Sequence, residues 1–171
     1  DQGTAGIEGV QGLVGQDGID GKSLPRELNV EVVGRFSTGL YGKSAAEIVQ
    51  FHQQSNSAFA INGAANQIEV ISLTNLPTTE VSQPTSDESL NSTAFTFPST
   101  VMVKTSADAE KSLPLGAVNS IAIHDDLLAI AVEGEVKQAN GAVLFYRLNE
   151  LGEGTFIHAV EAGALPDMVT F

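Results

Sequence analysis

Three oxygen-bearing side chains recur at matching places in this chain: Glu47, Asn119 and Asp167 each open a short, mostly apolar run. Carboxylate and amide oxygens that converge on one point are the donor set of Ca²⁺ or Mg²⁺, which take six or more hard oxygen ligands. The same side chains equally serve as caps on strand ends or as hydrogen-bond partners of a neighbouring element. Glu133 stands where Asn62 stands in the earlier copy, each followed by a glycine. With Glu135, Glu133 would either extend an acidic site or lie on a solvated turn. Arg35 offers a planar fork suited to an anion, or a salt bridge within the fold.

The remaining candidates for chemistry are few. His52, His124 and His158 are the only histidines. His52 and His124 share one repeat position, just after an apolar run, which predicts outer turns away from the site. Asp125-Asp126 and Asp87-Glu88 read as plain turns without the spaced ligands of an EF-hand. There is no HExxH pair, no GxSxG elbow and no GxxxxGK[ST] phosphate loop. No cysteine is present, so disulfides and thiolate chemistry are excluded. Eight basic residues against 21 acidic ones, a net charge of −13, argue against a nucleic-acid partner. No apolar run approaches the roughly 18–20 residues of a membrane span.

The elements that must position these residues are strands. Leu28-Asn29-Val30-Glu31-Val32 alternates with period two and predicts a strand over 28–33. Further runs at 47–51, 57–61, 67–73, 101–104, 119–123, 127–132, 142–148 and 156–160 are short, apolar and bounded by Gly, Asn, Asp or Ser. No stretch carries helical periodicity over ten residues, and 106–111 offers one helical turn at most. The Thr-, Ser- and Pro-rich stretch 74–99 reads as a long loop or inserted hairpin.

The runs repeat. A trio at 46–52, 57–63 and 67–73 is echoed at 118–124, 128–134 and 141–148, and a third copy opens at 166–171. The spacing is 48 residues from Asn119 to Asp167, and 72 from Glu47 to Asn119, where 74–99 intervenes. Four short strands per period of somewhat more than about 40 residues suit a β-propeller blade. Blade one would be 47–51, 57–61, 67–73 and 101–104; blade two would be 119–123, 127–132, 142–148 and 156–160. The strand at 28–33 would close the last blade. Two blades do not close a ring of about 4–8, so this reading expects the propeller to continue past Phe171. A β-sandwich of about nine strands is the competing fold. In a propeller, Glu47, Asn119 and Asp167 would meet at one mouth of the central channel.

Gly34-Arg35-Phe36-Ser37-Thr38-Gly39 and Ser44-Ala45-Ala46-Glu47-Ile48-Val49 resemble the start of the choice-of-anchor I proteins. Asn119-Ser120-Ile121-Ala122-Ile123, Ala129-Ile130-Ala131-Val132-Glu133 and Gly163-Ala164-Leu165-Pro166-Asp167-Met168-Val169-Thr170-Phe171 are similar to the motifs that follow, in order. The resemblance covers about 28–171 and implies a secreted or cell-surface propeller, with relatives labelled alkaline-phosphatase-like.

Ahead of this lies a strict glycine period at 3, 6, 9, 12, 15, 18 and 21. Only glycine fits the axis of a collagen triple helix, so the period has physical meaning. No proline occupies the other positions, which leaves a flexible linker and a trimeric stalk both open. As a stalk it would span about 60 Å at about 3 Å per residue. The expected organisation is a collagen-like segment over 1–24 and an all-β fold, a partial propeller, over 25–171. The leading expectation is an extracellular binding or scaffold module with Ca²⁺ or another divalent cation at the channel mouth. The alternative is a metal-dependent phosphoesterase with Glu47 and Asp167 as metal ligands and a bound water as nucleophile.

Overall fold

A computed structural model of the chain describes residues 30–76, 90–105 and 109–171, together with 3, 4, 6, 9–16 and 18. Contacts divide it into Asp1–Val30 and Glu31–Phe171. The described residues of the first unit are exposed and lie in no helix or strand.

The second unit is all-β, with two antiparallel sheets and no helix among the described residues. The first sheet runs β1 (Val49–His52), β2 (Ser57–Asn62), β3 (Gln67–Ser72) and β4 (Ser92–Phe95), in that spatial order. The second runs β5 (Thr100–Lys104), β6 (Glu110–His124), β7 (Leu127–Gly134), β8 (Asn140–Leu148) and β9 (Gly154–Ala164). Asn56, Asn66 and Asp125 turn the hairpins at φ 45°, 51° and 49°. Asn and Asp tolerate this left-handed region better than other side chains, which is why they punctuate the apolar runs.

The centre of the second sheet explains its own sequence. β7 lies between β6 and β8, and Leu128, Ala129, Ile130, Ala131 and Val132 are all fully buried. A strand covered on both faces needs no polar alternation. β8 alternates instead: Ala142, Leu144, Tyr146 and Leu148 are buried while Arg147 is exposed. β9, at the edge, is largely exposed.

One core joins the sheets. Phe59 and Ile61 of β2, Ile68 and Val70 of β3, and Phe95 of β4 pack in one cluster with Leu128, Ile130, Leu144 and Tyr146. Edge-to-face aromatic contacts lead from Phe59 to Phe95, then to Tyr146 and Phe156. Gly154 makes the seam possible, because a Cβ there would lie 2.5 Å from the Phe95 ring.

Several expectations need correction. Residues 30–33 lie in no strand; the neighbouring Arg35 forms only an isolated bridge, its carbonyl accepting from the Leu90 N–H. Residues 28 and 29 lie outside the described residues. The fourth strand of the first sheet is β4, inside the stretch read as an insertion, and not 101–104. Phe95 decides this, because among the described residues of that polar stretch it is the large side chain buried in the core. The 101–104 run lies in β5, which pairs with the first part of β6 from Thr100–Pro114 to Lys104–Glu110. Residues 110 and 111, read as part of a helical turn, are in β6. A bulge between Leu115 and Ser120 lets β6 serve β5 with one half and β7 with the other.

Candidate ligand site

The first strand of the first sheet, the second half of β6 and the segment 167–171 meet at one cavity of about 490 Å³. Ile48, just ahead of β1, and Gln50 of β1 line it, with Ser120 to His124 from β6 and Asp167 to Phe171 from the last segment. These are the three places where the sequence copies begin.

Polar ties fix the arrangement. The Asn119 amide donates to the Pro166 carbonyl at 3.2 Å, and the Val169 N–H donates to the buried Ser120 hydroxyl at 3.1 Å. Leu165, at φ 52°, turns the chain into this segment after β9. The His124 and Phe171 rings meet at 5.8 Å. Asp167 is exposed and is, among the described residues, the one Asp or Glu lining the cavity. Its walls mix Ile48, Ile121 and Val169 with Gln50, Ser120 and Thr170. Such a surface suits a polar ligand or cation held at the Asp167 rim against a partly apolar wall.

The predicted site residues are only partly brought together. Asn119 is half-buried and its amide is used as a tie to Pro166, next to Asp167. Glu47 is exposed, two residues ahead of β1, and does not line the cavity. Arg35 is exposed. Glu133 is half-buried within β7, and Glu135 is exposed on the following turn. Asp87 and Glu88 lie outside the described residues. Among the described residues, no three His, Asp or Glu side chains are grouped to hold a metal ion.

Two polar clusters escaped the sequence reading. Glu69 on β3 is 6% exposed. It accepts from Asn62 Nδ2 at 2.7 Å and Gln67 Nε2 at 2.9 Å on one oxygen, and from the Ser92 hydroxyl at 2.7 Å on the other. Burial pushes this carboxyl up, but the three hydrogen bonds outweigh it and hold the group below its ordinary 4.5. The signal was faint: Glu69 stands among apolar neighbours, where an outward-facing charge is the common case.

His52 is the second, and corrects the expectation of an outer turn. It is 1% exposed, with Nδ1 2.8 Å from Ser55 Oγ and Nε2 3.5 Å from Asp126 Oδ1. His124, at the same repeat position, has a 71% exposed side chain. The difference lies in the neighbours, since Phe59 and the turn carrying Asp126 cover His52. Asp126, read as a plain turn residue, therefore has a buried partner.

A family model described as the choice-of-anchor I domain matches residues 47–171. Comparison with curated proteins and with solved structures gave no match.

Proposed function

The chain belongs to the choice-of-anchor I family, and from that premise we propose that it is a cell-surface binding or scaffold module built as a β-propeller. The carrying observation is that three repeat-opening segments, 48–50, 120–124 and 167–171, line one cavity. In a propeller the first strand of every blade faces the central channel, and this shared lining is what such a channel requires. The order β1-β2-β3-β4, and the order β6-β7-β8-β9 within the second sheet, support reading them as two successive up-and-down blades. The β5–β6 hairpin is then an addition to the second blade.

In this reading the cavity is the ligand site, with Asp167 as its charged contact and a divalent cation such as Ca²⁺ as its simplest ligand. Asn119 holds the Asp167 segment through Pro166, while Glu47 stands near the start of the first blade. Residues 1–24 act as a spacer that holds the module off its surface, alone or wound with two other chains. No helix among the described residues is long and apolar enough to cross a membrane. The phosphoesterase alternative has no specific arrangement in its favour among the described residues.

The test is amide NMR of the whole chain titrated with Ca²⁺. Saturable shifts confined to 48–50, 120–124 and 165–171 are expected. Shifts spread evenly over the acidic surface would defeat the assignment.

A further inference from the structure

We propose that Ser55, His52 and Asp126 form a nucleophilic relay that acylates Ser55 with short-chain carboxylic esters. The cluster joins the last residue of β1 to the turns after β1 and β6, and none of its three residues lines the cavity described above.

The protonation pattern follows from the partners. Asp126 as a carboxylate can only accept, so in this relay the ring N–H lies on His52 Nε2, which faces it at 3.5 Å. Both atoms are buried and, at this distance, neither has a hydrogen-bond partner, so they face each other as a contact not yet made. With Nε2 protonated, Nδ1 is an acceptor, and the Ser55 hydroxyl at 2.8 Å must donate to it. A serine that donates to an imidazole whose far nitrogen faces a carboxylate follows the logic of a base-activated nucleophile. The 3.5 Å separation is within what an unliganded site shows before its hydrogen bonds tighten.

Ser55 also has somewhere to react. It lines a cavity of about 340 Å³, whose walls include Val70 and Leu151 beside Asn91, Ser57, Ser72 and Thr93. Gly152 stands over the hydroxyl, where a Cβ would come within 3.3 Å of Ser55 Oγ. At φ 77° that position favours glycine on backbone grounds as well, so space beside the hydroxyl is kept open. The volume suits a small acyl group against Val70 and Leu151, and the Asn91 amide and the Thr93 hydroxyl line the same cavity as donors for an oxyanion.

The step balances within these groups. Ser55 Oγ bonds to the ester carbonyl carbon while its proton passes to His52 Nδ1. The carbon–oxygen bond to the alcohol then breaks, and the leaving alkoxide takes that proton. Water attacks the acyl-serine and gives a proton to Nδ1, which returns it to Ser55 Oγ as the acyl C–O bond breaks and the acid departs. Asp126 acts as a positioning residue throughout, holding the imidazole in one tautomer.

The absence of cysteine makes a clean test available. The full chain is treated with a fluorophosphonate probe and the adduct mapped by peptide mass spectrometry. A single adduct on Ser55 is expected, lost in Ser55→Ala and slowed at least tenfold in Asp126→Asn, with circular dichroism unchanged. In parallel, Ser55→Cys supplies one thiol, and its alkylation by iodoacetamide is compared with Gln138→Cys on the exposed turn. The Ser55→Cys thiol should react at least tenfold faster near pH 6.5, with a pH profile that Asp126→Asn displaces. A folded chain with no adduct on Ser55, together with a Ser55→Cys thiol no faster than the exposed one, would overturn the proposal. The cluster would then be a structural tie between turns.

Discussion

Asn66 grips the backbone of the other sheet: its Oδ1 accepts from the Val118 N–H at 2.9 Å while its Nδ2 donates to the Gly116 carbonyl at 3.1 Å. One turn residue of the first repeat thus fixes where the β6 bulge leads into the cavity-lining half of that strand. Its backbone is left-handed, at φ 51°. Asn66→Gly keeps that backbone accessible and removes the two bonds, so a loss of about 1–3 kcal/mol is expected from the buried part. Asn66→Ala should cost more, because it also strains the turn. Urea unfolding of both variants checks the order.

The Glu69 network predicts an acid limb in the stability curve. The folded carboxyl sits below 4.5 because hydrogen bonds from Ser92, Asn62 and Gln67 outweigh its burial. Its contribution is therefore complete above the unfolded value and lost as pH falls through the folded one. Glu69→Gln brings an amide against three donors, so it should lower stability at pH 7 by about 1–3 kcal/mol. It should also flatten the dependence below about pH 4.5, read by denaturation at several pH values.

The seam between the sheets gives a packing prediction. Phe95→Ala empties the contact that joins Phe59 to Tyr146 and should cost about 3–5 kcal/mol. Gly154→Ala pushes a methyl group into the same ring and should cost about 1–3 kcal/mol. If Gly154→Ala proved neutral in thermal melts, the seam would be looser than described.

What was legible in the sequence follows from which forces act locally. The apolar runs of β2, β3, β7 and β8 and their Asn or Asp turns are local signals, and all four strands were placed within a few residues. Phe95 was not legible as a core residue, because its strand sits among Ser, Thr and Pro and is recruited by the Phe59 and Tyr146 rings. The 30–33 stretch shows the opposite error: alternation alone does not make a strand without a ladder partner. At the candidate site, the Asn119 amide bonds to Pro166 in the segment that carries Asp167. The repeat could not show that bond, nor that His52 and His124 differ in burial. Those outcomes depend on neighbours about 50 to 75 positions away.

The glycine-triplet segment contributes no described strand or helix, and the contact boundary falls at Val30. Deleting 1–24 should leave the unfolding midpoint of the β unit unchanged. If the triplets wind chains together, sedimentation of the whole chain should show a trimer that this deletion abolishes.

The most direct measurement for the account is calorimetric Ca²⁺ titration of the whole chain beside Asp167→Asn and Glu47→Gln. Saturable binding that Asp167→Asn abolishes and Glu47→Gln only weakens is predicted, because Asp167 alone of the two lines the cavity. Binding that is unaltered by Asp167→Asn, or absent from the unmodified chain, would contradict a ligand site at this junction.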